Sequence, residues 1–142
     1  MADSKQFETD RFPTADGDLA ITFIGHGSLM FDFNHLTIHI DPFSRVADYS
    51  QLPRADLILI KIRNGKTDLV LTETCARQLN SGIIMQNGDQ QIVRGIPIEA
   101  VPAYNLVHKR ENGQPYHPKG VGNGYIITFS GLRVYVAADT EN

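Results

Sequence analysis

Four segments of the 142-residue sequence pair a possible metal ligand or acid–base group with a setting that could present it. His26 sits in Gly25-His26-Gly27, a sharp turn after a strand-like run. Flanking glycines let the backbone come close to a ligand, while a turn imidazole can equally be spent on the backbone. Asp41 ends the run LTIHID ahead of Pro42. There a carboxylate can brace the second ring nitrogen of a metal-bound histidine, or simply start a turn. His117, in Tyr116-His117-Pro118-Lys119-Gly120, lies on a long polar stretch where a rigid proline could hold the ring toward a cavity or leave it in solvent. Asp139 follows the run LRVYVAA and could ligate zinc as the chain leaves a buried strand, or cap a helix. His35 and His39 read as structural, and His108 beside Lys109-Arg110 as a solvated group or an anion contact. Ser28 reads as a strand-start hydroxyl. No HExxH, P-loop, GxGxxG, GxSxG or zinc-finger spacing occurs.

The elements that must position these residues are mainly strands. Leu19–Gly25, Ser28–Phe33 and Leu36–Asp41 are short, rich in Ile, Phe and Thr, and separated by Gly-His-Gly and Asn34-His35, which predicts an antiparallel meander. Asp56–Ile60 and Asp68–Thr72 are nearly uninterrupted apolar runs, the pattern of strands covered on both faces. Only Lys61–Thr67 joins them. Buried parallel neighbours need a crossover of a dozen or more residues, whereas Asn64-Gly65 suits a hairpin, so pattern and connection disagree. Thr74 to Asn80 predicts a short helix stopped by Gly82. Ile83–Met85, Gln91–Val93 and Ile96–Ala103 predict further strands, with a turn at Asn87-Gly88-Asp89. Asn105 to Asn123 is a long loop, and Tyr125–Ser130 with Leu132–Ala138 closes the sequence as a hairpin about Gly131. Met1 to Gly17 has no apolar period and reads as a flexible arm or an added edge, leaving residues 18–142 as one domain. The expected core includes Ile58, Ile60, Leu69, Leu71, Ile127 and Val134.

Composition narrows the classes. A net charge of -3 argues against a nucleic-acid or anionic-membrane footprint. One cysteine, Cys75, excludes an internal disulfide framework. No apolar run approaches bilayer length and the first ten residues are not a signal peptide, so a cytoplasmic protein is expected.

Read in order, ITFIGHGSLMFDF, IHIDP, ADLILI, VPAYN, HPKG and VYVAADT resemble the metallo-β-lactamase-fold hydrolases, specifically the ascorbate-phosphate-lactonase-like group, over about Leu19 to Asn142. The resemblance implies an α/β class, an αβ/βα sandwich represented here mainly by its N-terminal, strand-rich half. It implies Zn²⁺ or Mn²⁺ and hydrolysis of an ester, lactone or phosphoester by metal-activated water. By resemblance Asp139 bridges two metals, His117 is a loop ligand, and His26 and Asp41 have catalytic roles lining or bracing the site. Many relatives carry a histidine ligand where this chain has Asn105. The departure is large. After the ADLILI strand the family runs into Thr-His-x-His-x-Asp-His and a helix; here Lys61-Ile62-Arg63-Asn64-Gly65-Lys66 follows Ile60. The expectation is therefore an incomplete chain, inactive by itself, lacking that segment and the family's second half. The alternative is a non-catalytic binding or homo-oligomerisation module. A small-molecule substrate is expected, with Lys109, Arg110 and Lys119 a hint of an anionic one.

Overall fold

The computed structural model describes residues 7–59, 68–137 and 140. They form two sheets packed face to face. The larger contains β1 (Glu8–Thr14), β2 (Gly17–Gly25), β3 (Ser28–Phe33), β4 (Leu36–Ile40), β5 (Leu57–Leu59), β6 (Asp68–Leu71) and β7 (Ile83–Ile84), in that spatial order. The smaller has the order β11-β10-β9-β8, from β8 (Gln90–Val93), β9 (Ile96–Ala103), β10 (Gly122–Phe129) and β11 (Leu132–Val136). One helix, α1 (Glu73–Leu79), and a 3-10 turn at Tyr49–Gln51 complete the described elements.

The meander β2-β3-β4 is antiparallel, as its turn residues require. His26-Gly27, Asn34-His35, Arg94-Gly95 and Ser130-Gly131 all have positive φ at both positions, the backbone that matches strand twist in a two-residue hairpin. From β4 onward the sheet is parallel: Ile40 aligns with Leu59, Leu59 with Val70, and Val70 with Ile83. The uninterrupted apolar runs thus mean what they do in other parallel sheets, and the hairpin suggested by the short 60–67 connection is not formed. Register alone makes the return from Leu59 to Asp68 roughly 8 Å, within reach of the intervening residues without a full helical crossover.

The inner faces share one core. Leu19, Phe31, Phe33, Ile38, Ile40, Leu57, Leu59 and Val70 meet Ile96, Ile98, Ala100, Tyr125, Ile127, Phe129 and Val136. A second cluster on the other face of the large sheet, Leu69, Leu71 and Ala76 with Ile58, Cys75 and Leu79, docks α1. Thr72 caps that helix by accepting from the Cys75 amide, and Asn80 ends it in the left-handed conformation. Leu69, Leu71 and Ile127 are buried as expected, Ile58 and Val134 are partly buried, and Ile60 lies outside the described residues. Glu8–Thr14, within the segment read as an arm or an added edge, pairs as the edge strand β1, where Pro13 is tolerated.

Candidate functional site

Strand direction gathers the candidates onto one rim. The parallel strands β4 to β7 all run toward it, and the β2–β3 turn opens there too. In the small sheet Gly122 pairs with Ala103 and Tyr125 with Val136, so β9 and β11 end where β10 begins. Asn123 joins the two sheets at this end: its Nδ2 donates to the Met85 carbonyl at 2.7 Å, and its Oδ1 accepts from Asn87 Nδ2 at 2.5 Å. The opposite end carries the Asn34-His35, Arg94-Gly95 and Ser130-Gly131 turns and the Arg94–Asp68 ion pair (2.7 Å).

His26 and Asp41 are brought together there. Their backbones are both left-handed, with φ of 50° and 39°. The Asp41 amide donates to the Leu59 carbonyl at 3.0 Å, fixing the end of β4 to the end of β5. Ser28 Oγ donates to the Asp41 carbonyl at 2.6 Å and accepts from the Phe43 amide at 3.2 Å. That is the strand-start hydroxyl expected, fully committed to backbone. Phe43 in turn lies against the exposed His26 ring, centroids 5.2 Å apart, and the Arg45 guanidinium carbon lies 5.9 Å from the Phe43 ring centroid.

His117 reaches the same rim by another route. Its amide donates to Asn105 Oδ1 at 3.0 Å, and its carbonyl accepts from the Asn105 amide at 2.9 Å. Asn105 is buried two residues beyond β9, so it pins the long loop while the His117 side chain stays exposed. Asn105 thus acts on the loop backbone. The loop carries its cations over aromatic rings, Lys119 above Tyr104 at 5.3 Å and Arg110 above Tyr116 at 5.4 Å. Asp139 lies outside the described residues; β11 ends on this rim at Val136. Among the described residues no three His, Cys, Asp or Glu side chains gather to hold a metal, so His26, Asp41 and His117 do not form such a cluster. A catalytic zinc takes three protein ligands and a water. The described residues do not fit that metal by themselves.

His39, which reads from sequence as structural, is the most unusual polar group in the fold. It is buried on the outer face of β4, level with Ile58, and its Nε2 has no hydrogen-bond partner among the described residues. The Pro53 backbone bonds the imidazole, which must use Nδ1. Burial lowers its pKa below the usual 6.5, against the pull of Pro53 and Asp32. A base that stays neutral when folded gives no pH dependence while the unfolded chain is also neutral. As pH drops below about 6.5 the unfolded chain takes up a proton the folded one refuses, and stability falls by at most about 1.4 kcal/mol per pH unit until the folded ring protonates. Urea midpoints between pH 7.5 and 5.5 should show this decline, and His39→Leu should flatten it. An equal slope in the variant would assign the decline to other groups.

The layered sheets and this rim define a metallo-β-lactamase-type fold, seen here as its strand-rich half. The chain belongs to the family described as β-lactamase superfamily domain, whose model matches residues 20–142. It is similar, at 41% identity and a TM-score of 0.83, to a proposed metal-dependent hydrolase from Parabacteroides distasonis, covering 95% of this chain and 67% of that one. Igni18, a metallo hydrolase from Ignicoccus hospitalis, shares the fold at 20% identity and a TM-score of 0.61, with 86% of this chain and 61% of that one covered. CmlA, a diiron β-hydroxylase from Streptomyces venezuelae, does so at 16% identity and a TM-score of 0.58, covering 91% and 31%. No curated protein sequence matches. Among the described residues no helix is long and apolar enough to cross a membrane.

Proposed function

We propose that this chain forms one wall of a hydrolase site for an ester, lactone or phosphoester. In this reading His26 and Asp41 line the rim, and His117 and Asp139 belong to the ligand set of a Zn²⁺ or Mn²⁺ ion. The observation that supports it most is the convergence of the His26 turn, Asp41 and the Asn105–His117 pin on one rim of a chain 41% identical to a proposed metal-dependent hydrolase. Residues 60–67 contain no histidine, aspartate, glutamate or cysteine. His117 and Asp139 alone leave the set one ligand short of a catalytic zinc. The 142-residue chain should therefore retain less than one equivalent of Zn²⁺ or Mn²⁺ after dialysis and hydrolyse p-nitrophenyl esters and phosphoesters no faster than buffer. Stoichiometric retained metal with turnover would show that the ligand set is complete. Loss of the weak residual metal binding in His117→Ala, with unchanged folding, supports His117 as a ligand; equal binding removes it.

One observation favours a second reading, a module that associates with a copy of itself. Ile92 is 74% and Tyr135 47% exposed on the small sheet, where Val101, Pro102, Tyr104 and Ile126 line an open groove beside Tyr135. Exposed apolar patches promote association. Sedimentation equilibrium giving a dimer that Ile92→Glu dissociates supports it, and a monomer across the concentration range excludes it.

A further inference from the structure

Tyr49 connects the buried His39 to the rim. Its ring packs on the imidazole with centroids 5.5 Å apart, and its phenolic oxygen accepts from the Phe43 amide at 3.1 Å. That amide is shared with Ser28 Oγ, whose own proton goes to the Asp41 carbonyl. The Phe43 ring is the surface on which His26 rests. One side chain therefore has a buried ring beneath it and the Asp41–Phe43 corner above it.

The strap carrying Tyr49 has local hydrogen bonds of its own. Asp48 caps the 3-10 turn by accepting from the Ser50 amide (3.0 Å) and hydroxyl (2.7 Å), both exposed. The Gln51 amide donates to the Asp48 carbonyl and the Leu52 amide to that of Tyr49. None of the three residues Tyr49–Gln51 is buried. Its grips on the rest of the fold include the Pro53 bond to His39, the ring contact and the Tyr49–Phe43 hydrogen bond.

We propose that Tyr49 is a positioning residue for the His26–Asp41 corner of the rim, held in place by the neutral His39 ring beneath it. The proposal rests on reading this rim as a hydrolase site only for its functional meaning, because the linkage itself is independent of metal or turnover. Charging His39 places a cation against Tyr49 with an unpartnered N–H in a closed site. An unsatisfied buried donor is costly, and none of Tyr49–Gln51 is buried. Asp32 from β3 is the charged group that acts on His39, Tyr49 packs on its ring, and β5 offers Ile58 beside it. Asp32 accepts from Thr37 Oγ1 and Asp56 from the Thr37 amide, which holds both carboxylates against β4. Tyr49 is left to move when the imidazole is protonated.

The test uses the intact chain labelled with ¹⁵N and ¹³C. In the wild-type protein the Phe43 amide shift and the His26 ring shift should follow the His39 ring as it titrates, with a component at the His39 midpoint. In Tyr49→Phe, which keeps the ring and removes the acceptor, His39 should still titrate but Phe43 should no longer follow it. The Phe43 amide should exchange about tenfold faster, while exchange in the core strands stays unchanged. A general structural role would instead raise exchange everywhere. Phe43 failing to follow His39 in the wild type overturns the proposal with no variant needed. So does a Phe43 response that persists, or exchange that is unchanged, in Tyr49→Phe. Hydrolase assays stand apart: their failure with the shift linkage intact would discard the reading of the rim and leave the linkage in place.

Discussion

Phe129→Ala should destabilise the protein strongly. Phe129 is fully buried at the end of β10, and its ring meets Phe31 edge-on at 5.7 Å and Phe33 at 5.3 Å, both from the opposing sheet. These three rings join the two layers at the end opposite the rim. Truncating a buried phenylalanine costs about 3–5 kcal/mol, because transfer free energy is lost and the cavity does not fully collapse. Domains of this size hold roughly 5–15 kcal/mol in total. The urea midpoint should therefore fall by about a fifth or more, with loss of dispersion in the methyl region of the NMR spectrum. Tyr135→Ala, at a half-exposed site on the outer face of β11, should change stability by no more than about 0.5 kcal/mol. Similar losses for both variants would mean the two sheets are not held by the aromatic cluster.

The strands that positioned the rim were legible because their signals are local. Turn dipeptides marked the meander, and unbroken apolar runs marked β5 and β6, whose parallel pairing explains why neither run alternates. Connection length and apolar pattern disagreed in the sequence, and the parallel pairing of β5 with β6 follows the pattern. β10 begins at Gly122, three residues before the expected start at Tyr125. Gly-Asn-Gly has poor strand propensity, yet a Cβ on Gly124 would lie 3.1 Å from the Val136 carbonyl, so the strand needs a glycine there. Tertiary crowding decided against propensity. β1 was legible only as one of two alternatives, an arm or an added edge, because an exposed edge has no buried face to leave an apolar period.

The site was legible only in part. Gly25-His26-Gly27 and Asp41 were visible as strand-end residues, and the fold puts both on the rim. His117 was visible as a loop histidine, but nothing local shows that Asn105, twelve residues earlier, fixes its backbone. Asn123 and Tyr49 were missed. Asparagine between glycines reads as a turn, and a tyrosine in a polar loop carries no period. Their roles arise from contacts with Met85 and with Phe43, which only the assembled sheets bring within reach. His39 alternated correctly on its strand, while its unpartnered nitrogen depends on how the Tyr49–Pro53 segment folds back.

Gly82 shows the same dependence on assembly and gives the second large effect. It follows the left-handed Asn80 that ends α1 and turns the chain into β7 with φ of 115°, a backbone L-residues rarely adopt. A Cβ there would lie 2.6 Å from Leu71 Cδ1, 3.2 Å from its Cγ and 3.3 Å from the Leu69 carbonyl. Leu71 is fully buried beneath α1, so its side chain cannot swing aside without disturbing Leu69 and Ala76. Backbone strain of about 1–3 kcal/mol adds to overpacking of about 1–3 kcal/mol. Gly82→Ala should therefore cost roughly 2–6 kcal/mol and lower the melting temperature by about 6 °C or more. The damage should begin locally, since α1 and β7 flank the turn and Met85, the next residue, carries the carbonyl that Asn123 holds. Amide exchange in Glu73–Leu79 and at Met85 should rise before exchange in β2 and β3. Gly88→Ala separates the two terms: its φ is 96°, but nothing lies within 4 Å of the added carbon. It should cost the strain alone. If Gly88→Ala destabilises as much as Gly82→Ala, the contact with Leu71 contributes nothing and α1 is not seated by that glycine.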